Sequence, residues 1–134
     1  MNYISTRNNQ KNFSFKEVFL KGLADDGGLF VPKSIKQFQK EELDNLKNLS
    51  YNDLAAEIIY PFIGDFMSKD DLISLISKSY SNFRSDDVVK ISDLGDLKVL
   101  ELFHGPTLAF KDIAMQLIGN FYQYHLGRDQ KKIN

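Results

Sequence analysis

The passage from Leu97 to Leu126 constrains the fold most, because it joins a strand, a tight turn and a long helix without a gap. The residues from Leu97 to Phe103 are apolar and extended in character, and Gly105-Pro106 indicates a turn. The pattern then predicts a helix from about Thr107 to Leu126. Open α/β sheets place ligand-binding groups where a strand runs through a turn into a helix. We therefore look for functional side chains in this turn.

Lys111 is the candidate reacting group of the passage. In the predicted helix, Met115, Ile118 and Tyr122 follow it at helical spacing and share its face. The amine would then begin an apolar face near a helix N-terminus, where desolvation and the helix dipole both disfavour the ammonium form. A neutral lysine amine is a nucleophile suited to Schiff-base formation. The spacing alone nevertheless favours an ordinary lysine that buries its stem and keeps its charge in water.

The first hundred residues predict short strands and several helices. Ser14 and Glu17 form a capping-box pattern at the start of one helix, and Gly22 lies near its end. Ser50 and Ser68 each precede an acidic residue by three positions, which indicates two further helix starts. The predicted strands are 3–7, 29–31, 88–91 and 97–103, with a hairpin between the last two, and the predicted middle helices are about 40–49, 51–63 and 69–81. The expected core faces are Leu54, Ile58, Ile59 and Phe62 on one helix and Leu72, Leu75, Ile76 and Tyr80 on the next.

Composition excludes several classes of function. The 134 residues suit one domain by size, and 43% of them are hydrophobic. There is no cysteine, so disulfides, thiol nucleophiles and cysteine metal sites are excluded. Lysine and arginine total 17 against 18 acidic residues, interspersed along the chain, so we expect no nucleic-acid partner. No apolar run reaches the roughly 18 residues of a membrane span. We expect no membrane partner, no metal and a cytoplasmic location.

The block from Glu101 to Asp112 resembles the pyridoxal-phosphate lysine segment of the threonine synthase family, because it reads Glu-Leu-Phe-His-Gly-Pro-Thr-Leu-Ala-Phe-Lys-Asp. The segment from Tyr3 to Arg7 and the passage from Gly22 to Pro32 resemble the amino-terminal signature of the same family. Asn8 departs from the family, in which a glycine is expected after the arginine. The resemblance extends over nearly the whole chain.

This resemblance implies a fold class and a reaction. The fold is α/β: the mostly helical N-terminal part of a fold-type II pyridoxal-phosphate enzyme, with a few short strands, a β-hairpin and a sheet left incomplete by truncation. Residues 1–96 would form the N-terminal strand and helices, and residues 97–134 the start of the cofactor-binding segment. The enzyme would be a lyase of threonine biosynthesis. It would convert O-phospho-L-homoserine and water to L-threonine and phosphate by β,γ-elimination and β-hydration.

The resemblance also implies site residues and partners. Lys111 would be the catalytic residue and would bind pyridoxal 5'-phosphate as a Schiff base, while Thr107 and Asp112 would be further cofactor contacts. The groups that hold the cofactor and substrate phosphates are expected beyond Asn134, so the partner of this region would be the remainder of its own chain. A fragment that carries the lysine alone is expected to be inactive.

Two alternatives stay open on the sequence. The chain could be a non-enzymatic truncated relative that serves as a binding or regulatory module. It could also belong to another fold-type II enzyme, such as a threonine dehydratase or a tryptophan synthase β relative, although these families lack the turn from His104 to Thr107 and the long N-terminal helical segment. A reading frame that continues after Asn134 into a glycine-rich phosphate loop would favour the enzyme.

Overall fold

A computed structural model describes residues 1–64 and 66–129. The elements within these residues, in chain order, are β1 (Tyr3–Ser5), α1 (Phe15–Lys21), β2 (Phe30–Pro32), α2 (Lys40–Leu46), α3 (Tyr51–Ile63), α4 (Lys69–Tyr80), β3 (Lys90–Asp93), β4 (Lys98–Glu101) and α5 (Asp112–Asp129). The strands form two separate antiparallel pairs, β1 with β2 and β3 with β4. The predicted mostly helical α/β arrangement with short strands and a β-hairpin is confirmed.

The chain divides into two compact units. The first comprises Met1–Leu49 and Asp53–Leu72, and the second comprises Ser50–Asn52 and Ile73–Asn134. This division follows packing and does not test the predicted functional division at residue 96. None of the helices in residues 1–64 and 66–129 is both long and apolar enough to cross a membrane.

An aromatic cluster fills the first unit. The ring of Phe15 stacks on that of Phe19 at 5.5 Å between centroids and meets the edge of Phe66 at 5.2 Å. The Tyr3 ring lies 6.2 Å from Phe15, and its hydroxyl donates to the Phe62 carbonyl at 2.8 Å. Such offset and edge-to-face pairs add to the stabilisation from buried apolar area. The cluster therefore ties β1 to α1 and to the end of α3.

The second unit contains its own core. Its buried apolar side chains are Ile76, Tyr80, Val88, Leu117 and Phe121. Asn120 on α5 donates from Nδ2 to the Ser79 hydroxyl on α4 at 2.8 Å, and that hydroxyl donates to the Leu75 carbonyl at 2.6 Å. These contacts fix α5 against the second half of α4. They decide which stripe of α5 turns inward.

Most of the predicted helix starts are confirmed. The Ser14 hydroxyl accepts from the Glu17 amide at 3.3 Å, Glu17 reaches back to the Ser14 amide at 2.7 Å, and α1 ends with Gly22 as its C-cap. The Ser68 hydroxyl accepts from the Asp71 amide at 3.1 Å. The helix α2 is shorter than predicted and ends at Leu46. The local capping signals thus predicted where these helices start more accurately than where they end.

The predicted bounds of α5 were wrong at both ends. The helix begins at Asp112 rather than near Thr107, because residues 105–111 form turns and Leu108 has a left-handed φ of 63°. A left-handed residue cannot continue a right-handed helix. The helix also runs through Gly127 to Asp129, since glycine is tolerated in a helix at about 1 kcal/mol. Residues 127–129, beyond the predicted helix end at Leu126, are therefore helical, and residues 130–134 lie outside the described residues.

Replacing Tyr80 with phenylalanine should destabilise the chain by about 1–3 kcal/mol, because it removes two hydrogen bonds of the hydroxyl, one with Ile113 and one with Tyr51, each with a usual net value of about 0.5–1.5 kcal/mol. The Tyr80 hydroxyl donates to the Ile113 carbonyl in the first turn of α5 at 2.9 Å, while the ring remains packed in the variant. The measurement is urea unfolding of the 134-residue chain. Tyr60→Phe is the control, because no hydrogen bond of the Tyr60 hydroxyl is found within residues 1–64 and 66–129. Equal effects of the two changes would contradict the prediction.

Candidate functional site

The candidate site is the loop of residues 105–111, which joins β4 to α5. Lys111 lies at its last position, in a turn directly before the helix rather than inside it. The Lys111 carbonyl accepts from the Ala114 amide at 3.1 Å and from the Met115 amide at 2.8 Å. The backbone of Lys111 therefore starts the hydrogen-bond ladder of α5. These backbone hydrogen bonds fix the position of the Lys111 Cα, from which its side chain extends.

Asp112 binds the loop back onto the start of the helix. Its side chain is 3% exposed, and its carboxylate accepts from the Thr107 amide at 2.7 Å and from the Thr107 hydroxyl at 2.9 Å. The carboxylate also lies in the first turn of α5, where a negative charge complements the helix dipole. Thr107 and Asp112 thus close residues 108–111 into a loop with Lys111 at its end.

Gly105 allows the close approach that this closure requires. A Cβ atom built on Gly105 would lie 2.3 Å from Cβ of Asp112 and 2.4 Å from its Oδ2. No side chain fits in that space, because real Cβ atoms do not approach other heavy atoms so closely. The Gly105 carbonyl also accepts from the Leu108 amide at 3.2 Å. Glycine at this position is therefore a packing requirement of the loop.

The Lys111 side chain is exposed, contrary to the expectation that it would begin a buried apolar face. Met115 is 57% exposed, and Ile118, on the same side of α5, is 37% exposed. The buried stripe of α5 consists instead of Asp112, Leu117, Phe121 and His125. The contacts with α4 select this stripe, and helical spacing alone does not distinguish the two. The Lys111 amine lies 5.8 Å from the centroid of the neighbouring Phe110 ring.

Lys111 fits the covalent anchor of an aldehyde cofactor. An amine that reacts with an aldehyde must be accessible and must not be held by a carboxylate. Lys111 is exposed, and no ion pair of its amine is found within the part of the chain that the structure describes. The Asp112 carboxylate accepts hydrogen bonds from both the amide and the hydroxyl of Thr107. Their predicted contacts with the cofactor stay predictions.

Sequence reasoning did not identify the partners of His104. Nε2 of His104 lies 2.7 Å from Oε2 of Glu101, and the Ser92 hydroxyl donates to the other carboxylate oxygen of Glu101. Hydrogen bonds from Ser92 and then His104 hold the pKa of Glu101 below its usual value. A glutamate three residues before a histidine is too common a pattern to indicate this contact. The hairpin register was the additional information required, because it pairs Lys90 with Glu101 and so places Ser92 diagonally across from Glu101 on the same face.

Acid should weaken the folded state through Asp112. Burial raises the pKa of this carboxyl, but the hydrogen bonds from the Thr107 amide and hydroxyl, from Gln116 and from Ala109 together hold it below the usual 3.8. The unfolded chain lacks these bonds, so the stabilisation is complete above that value and is lost as the pH falls through the lower folded pKa. Urea midpoints of the wild type and Asp112→Asn should differ most at about pH 7, and the difference should shrink as the pH falls below the usual 3.8. A difference that stays constant with pH would contradict this assignment.

Across 1–64 and 66–129, no group of three or more histidine, aspartate or glutamate side chains could hold a metal ion.

Comparison with known proteins identifies the family. Residues 2–80 match the family model described as the threonine synthase N terminus. The chain is 44% identical to threonine synthase of Schizosaccharomyces pombe over 96% of its own length and 25% of the relative's. It is 46% identical to threonine synthase of Saccharomyces cerevisiae over 94% of its own length and 26% of the relative's. The chain thus spans about a quarter of the length of these curated relatives.

Solved structures agree with the sequence comparison. The fold superimposes with a TM-score of 0.93 on pyridoxal-phosphate-bound threonine synthase from Brucella melitensis, at 38% identity, covering 98% of this chain and 29% of that one. The TM-score with threonine synthase from yeast is 0.91 at 43% identity, covering 99% of this chain and 28% of that one. The chain therefore belongs to the threonine synthase family and corresponds to the N-terminal part of its members.

Proposed function

We propose that this chain supplies the cofactor lysine, Lys111, of a pyridoxal-phosphate-dependent threonine synthase. The complete protein would convert O-phospho-L-homoserine and water to L-threonine and phosphate. The observation that carries the proposal is the exposed Lys111 amine, without an ion pair to any of residues 1–64 and 66–129, at the end of a loop closed by Thr107 and Asp112 in a member of this family. Helical spacing alone does not distinguish Lys111 from an ordinary surface lysine. Membership of the family is the reason for assigning its amine a chemical role.

Pyridoxal 5'-phosphate supplies, when bound, an aldehyde for a lysine amine and a ring that delocalises electrons released at the substrate α carbon. Nζ of Lys111 would hold the cofactor covalently and would be free during turnover. The free amine would take protons from the substrate α and β carbons. It would return protons to the γ carbon, from which the phosphate leaves, and to the α carbon after water adds at the β carbon, which is general acid–base work for a side chain tethered beside them. The loop closure by Asp112 orients the amine for these transfers.

The residue ranges follow from this role. We propose residues 97–134 as the start of the cofactor-binding segment and residues 1–96 as the N-terminal strand and helices. The remainder of the chain would provide the sites for the cofactor and substrate phosphates. The 134 residues alone are expected to form no threonine, because an anchor without a pocket does not hold the substrate.

The decisive experiment uses the complete protein with pyridoxal phosphate and O-phospho-L-homoserine, with release of phosphate and formation of threonine measured together. Equal amounts of both products are expected. L-Homoserine, which lacks the leaving phosphate, is the matched control and should give no threonine. L-Threonine as substrate tests for dehydratase activity, and 2-oxobutanoate as the only product would overturn the proposal. A complete protein that binds the cofactor and acts on none of these substrates would instead favour a binding or regulatory module.

A further inference from the structure

A hydrogen-bonded chain of three side chains lies at the carboxyl end of β4. It consists of Ser92, Glu101 and His104, with 2.7 Å between Oε2 of Glu101 and Nε2 of His104. The side chains of Glu101 and His104 are both only 17% exposed. Exposed ion pairs stabilise little because water competes for them, whereas a shielded, charge-assisted hydrogen bond holds its partners in one geometry. The imidazole of His104 is therefore fixed through its side chain.

The backbone of His104 is fixed as well. Its carbonyl accepts from the Arg84 amide at 2.8 Å. The centroid of its ring lies 4.8 Å from that of Phe103. His104 is the last residue before the loop 105–111, so the entry to that loop is held at both the main chain and the ring.

The loop transmits this constraint to Lys111. Gly105 follows His104 and packs so closely on Asp112 that an added Cβ would lie 2.3 Å from Cβ of Asp112. Asp112 in turn holds Thr107 by two hydrogen bonds and is the direct neighbour of Lys111. Because Gly105 and Asp112 leave no space between them, a displacement of His104 must move Asp112 or open the loop. Both changes move Lys111.

We propose that Glu101 and His104 form a positioning pair, which sets the orientation of Lys111 through the loop 105–111. The inference rests on the proposed function, since it assigns the pair a task in the attachment of the cofactor to that lysine. The pair does not act as an acid or base in this role. The hydrogen bond between the two side chains is the required feature.

The test uses the complete protein and measures how fast pyridoxal phosphate becomes fixed to Lys111, by borohydride reduction and mass spectrometry of the peptide. Glu101→Ala and His104→Ala should slow fixation by about 10- to 100-fold, as expected for a displaced reacting group. In His104→Gln the side-chain nitrogen replaces Nε2 and still donates to Glu101, so fixation should stay within about threefold of the wild type. Ser92→Ala is the matched control, because it removes a hydrogen bond to Glu101 and leaves the pair intact. Glu101→Ala and His104→Ala should also lower kcat for the proposed reaction more than they change KM, whereas His104→Gln and Ser92→Ala should leave kcat close to that of the wild type.

The outcomes separate the possibilities. If His104→Gln falls as far as His104→Ala, the imidazole itself is required and the positioning role is wrong. If Glu101→Ala and His104→Ala lower only the thermal midpoint, with unchanged cofactor fixation and kcat, the pair is merely structural and the proposal is overturned. A wild-type protein that fixes no cofactor at Lys111 overturns the proposed function first, and the role of the pair with it.

Discussion

Lys111→Ala in the complete protein should abolish covalent fixation of pyridoxal phosphate and lower threonine formation by at least about 10²–10⁴-fold, the usual loss when one proton-transferring group is removed. The expected loss is large because the same amine would anchor the cofactor and move the protons. The structure explains why another lysine should not substitute. Lys111 leaves the fold from a loop held by Gly105, Thr107 and Asp112, and no other lysine shares that loop.

Two further variants control this experiment. Lys111→Arg keeps the positive charge but cannot form the covalent attachment, so it should fix no cofactor either. Lys98→Ala removes an exposed lysine that pairs with Asp93 on the hairpin at 3.1 Å, and its activity should stay close to that of the wild type. Retention of both cofactor fixation and threonine formation in Lys111→Ala would show that the reacting lysine lies elsewhere.

Gly105→Ala should destabilise the chain by about 1–3 kcal/mol, the usual cost of forcing an extra carbon into a packed site. The new Cβ would overlap Cβ and Oδ2 of Asp112, and these atoms cannot retreat without breaking the hydrogen bonds to Thr107. The same movement displaces Lys111. Urea unfolding of the 134-residue chain measures the first effect, and the rate of cofactor fixation in the complete protein measures the second.

Gly119→Ala is the matched control on the same stretch of chain. A Cβ at Gly119 meets nothing within 4 Å, and the residue lies inside α5. Alanine is the better helix former, so this change should stabilise the chain by about 0.5–1 kcal/mol. A destabilisation of equal size at both glycines would show that the contact with Asp112 does not govern the loop.

Secondary structure was predictable where the signal is contained in a few neighbouring residues. The bounds Tyr51–Ile63 were predicted correctly, and the buried residues Leu72, Ile76 and Tyr80 of α4 follow the predicted stripe. The core face of α3 was predicted less well, since Ala56 and Ile63 are buried while Ile58 is 38% exposed. Helical spacing defines a face, but the neighbouring elements decide how that face is rotated against them.

The candidate site divides in the same way. Its location and Lys111 came from the sequence block between Glu101 and Asp112, together with the resemblance of that block to a family. The predicted start of α5 was wrong because Asp112 accepts a hydrogen bond from Thr107, five residues earlier. This contact holds the residues between them in turns. Residue propensities for helix or strand do not predict that contact. It requires Gly105 to pack against Asp112, which only the folded chain makes visible.

The sequence by itself determined most of the elements, the capping of the helices and the hairpin, because each of these depends on interactions between residues a few positions apart. Lys111 was singled out by the resemblance of its sequence block to a family. The tertiary structure decided which stripe of α5 is buried, where that helix begins and that Ser92 joins Glu101 and His104 across the hairpin. These features depend on the packing of α4 against α5 and on the register of the hairpin. Such contacts join distant parts of the chain, and their free energies outweigh local preferences.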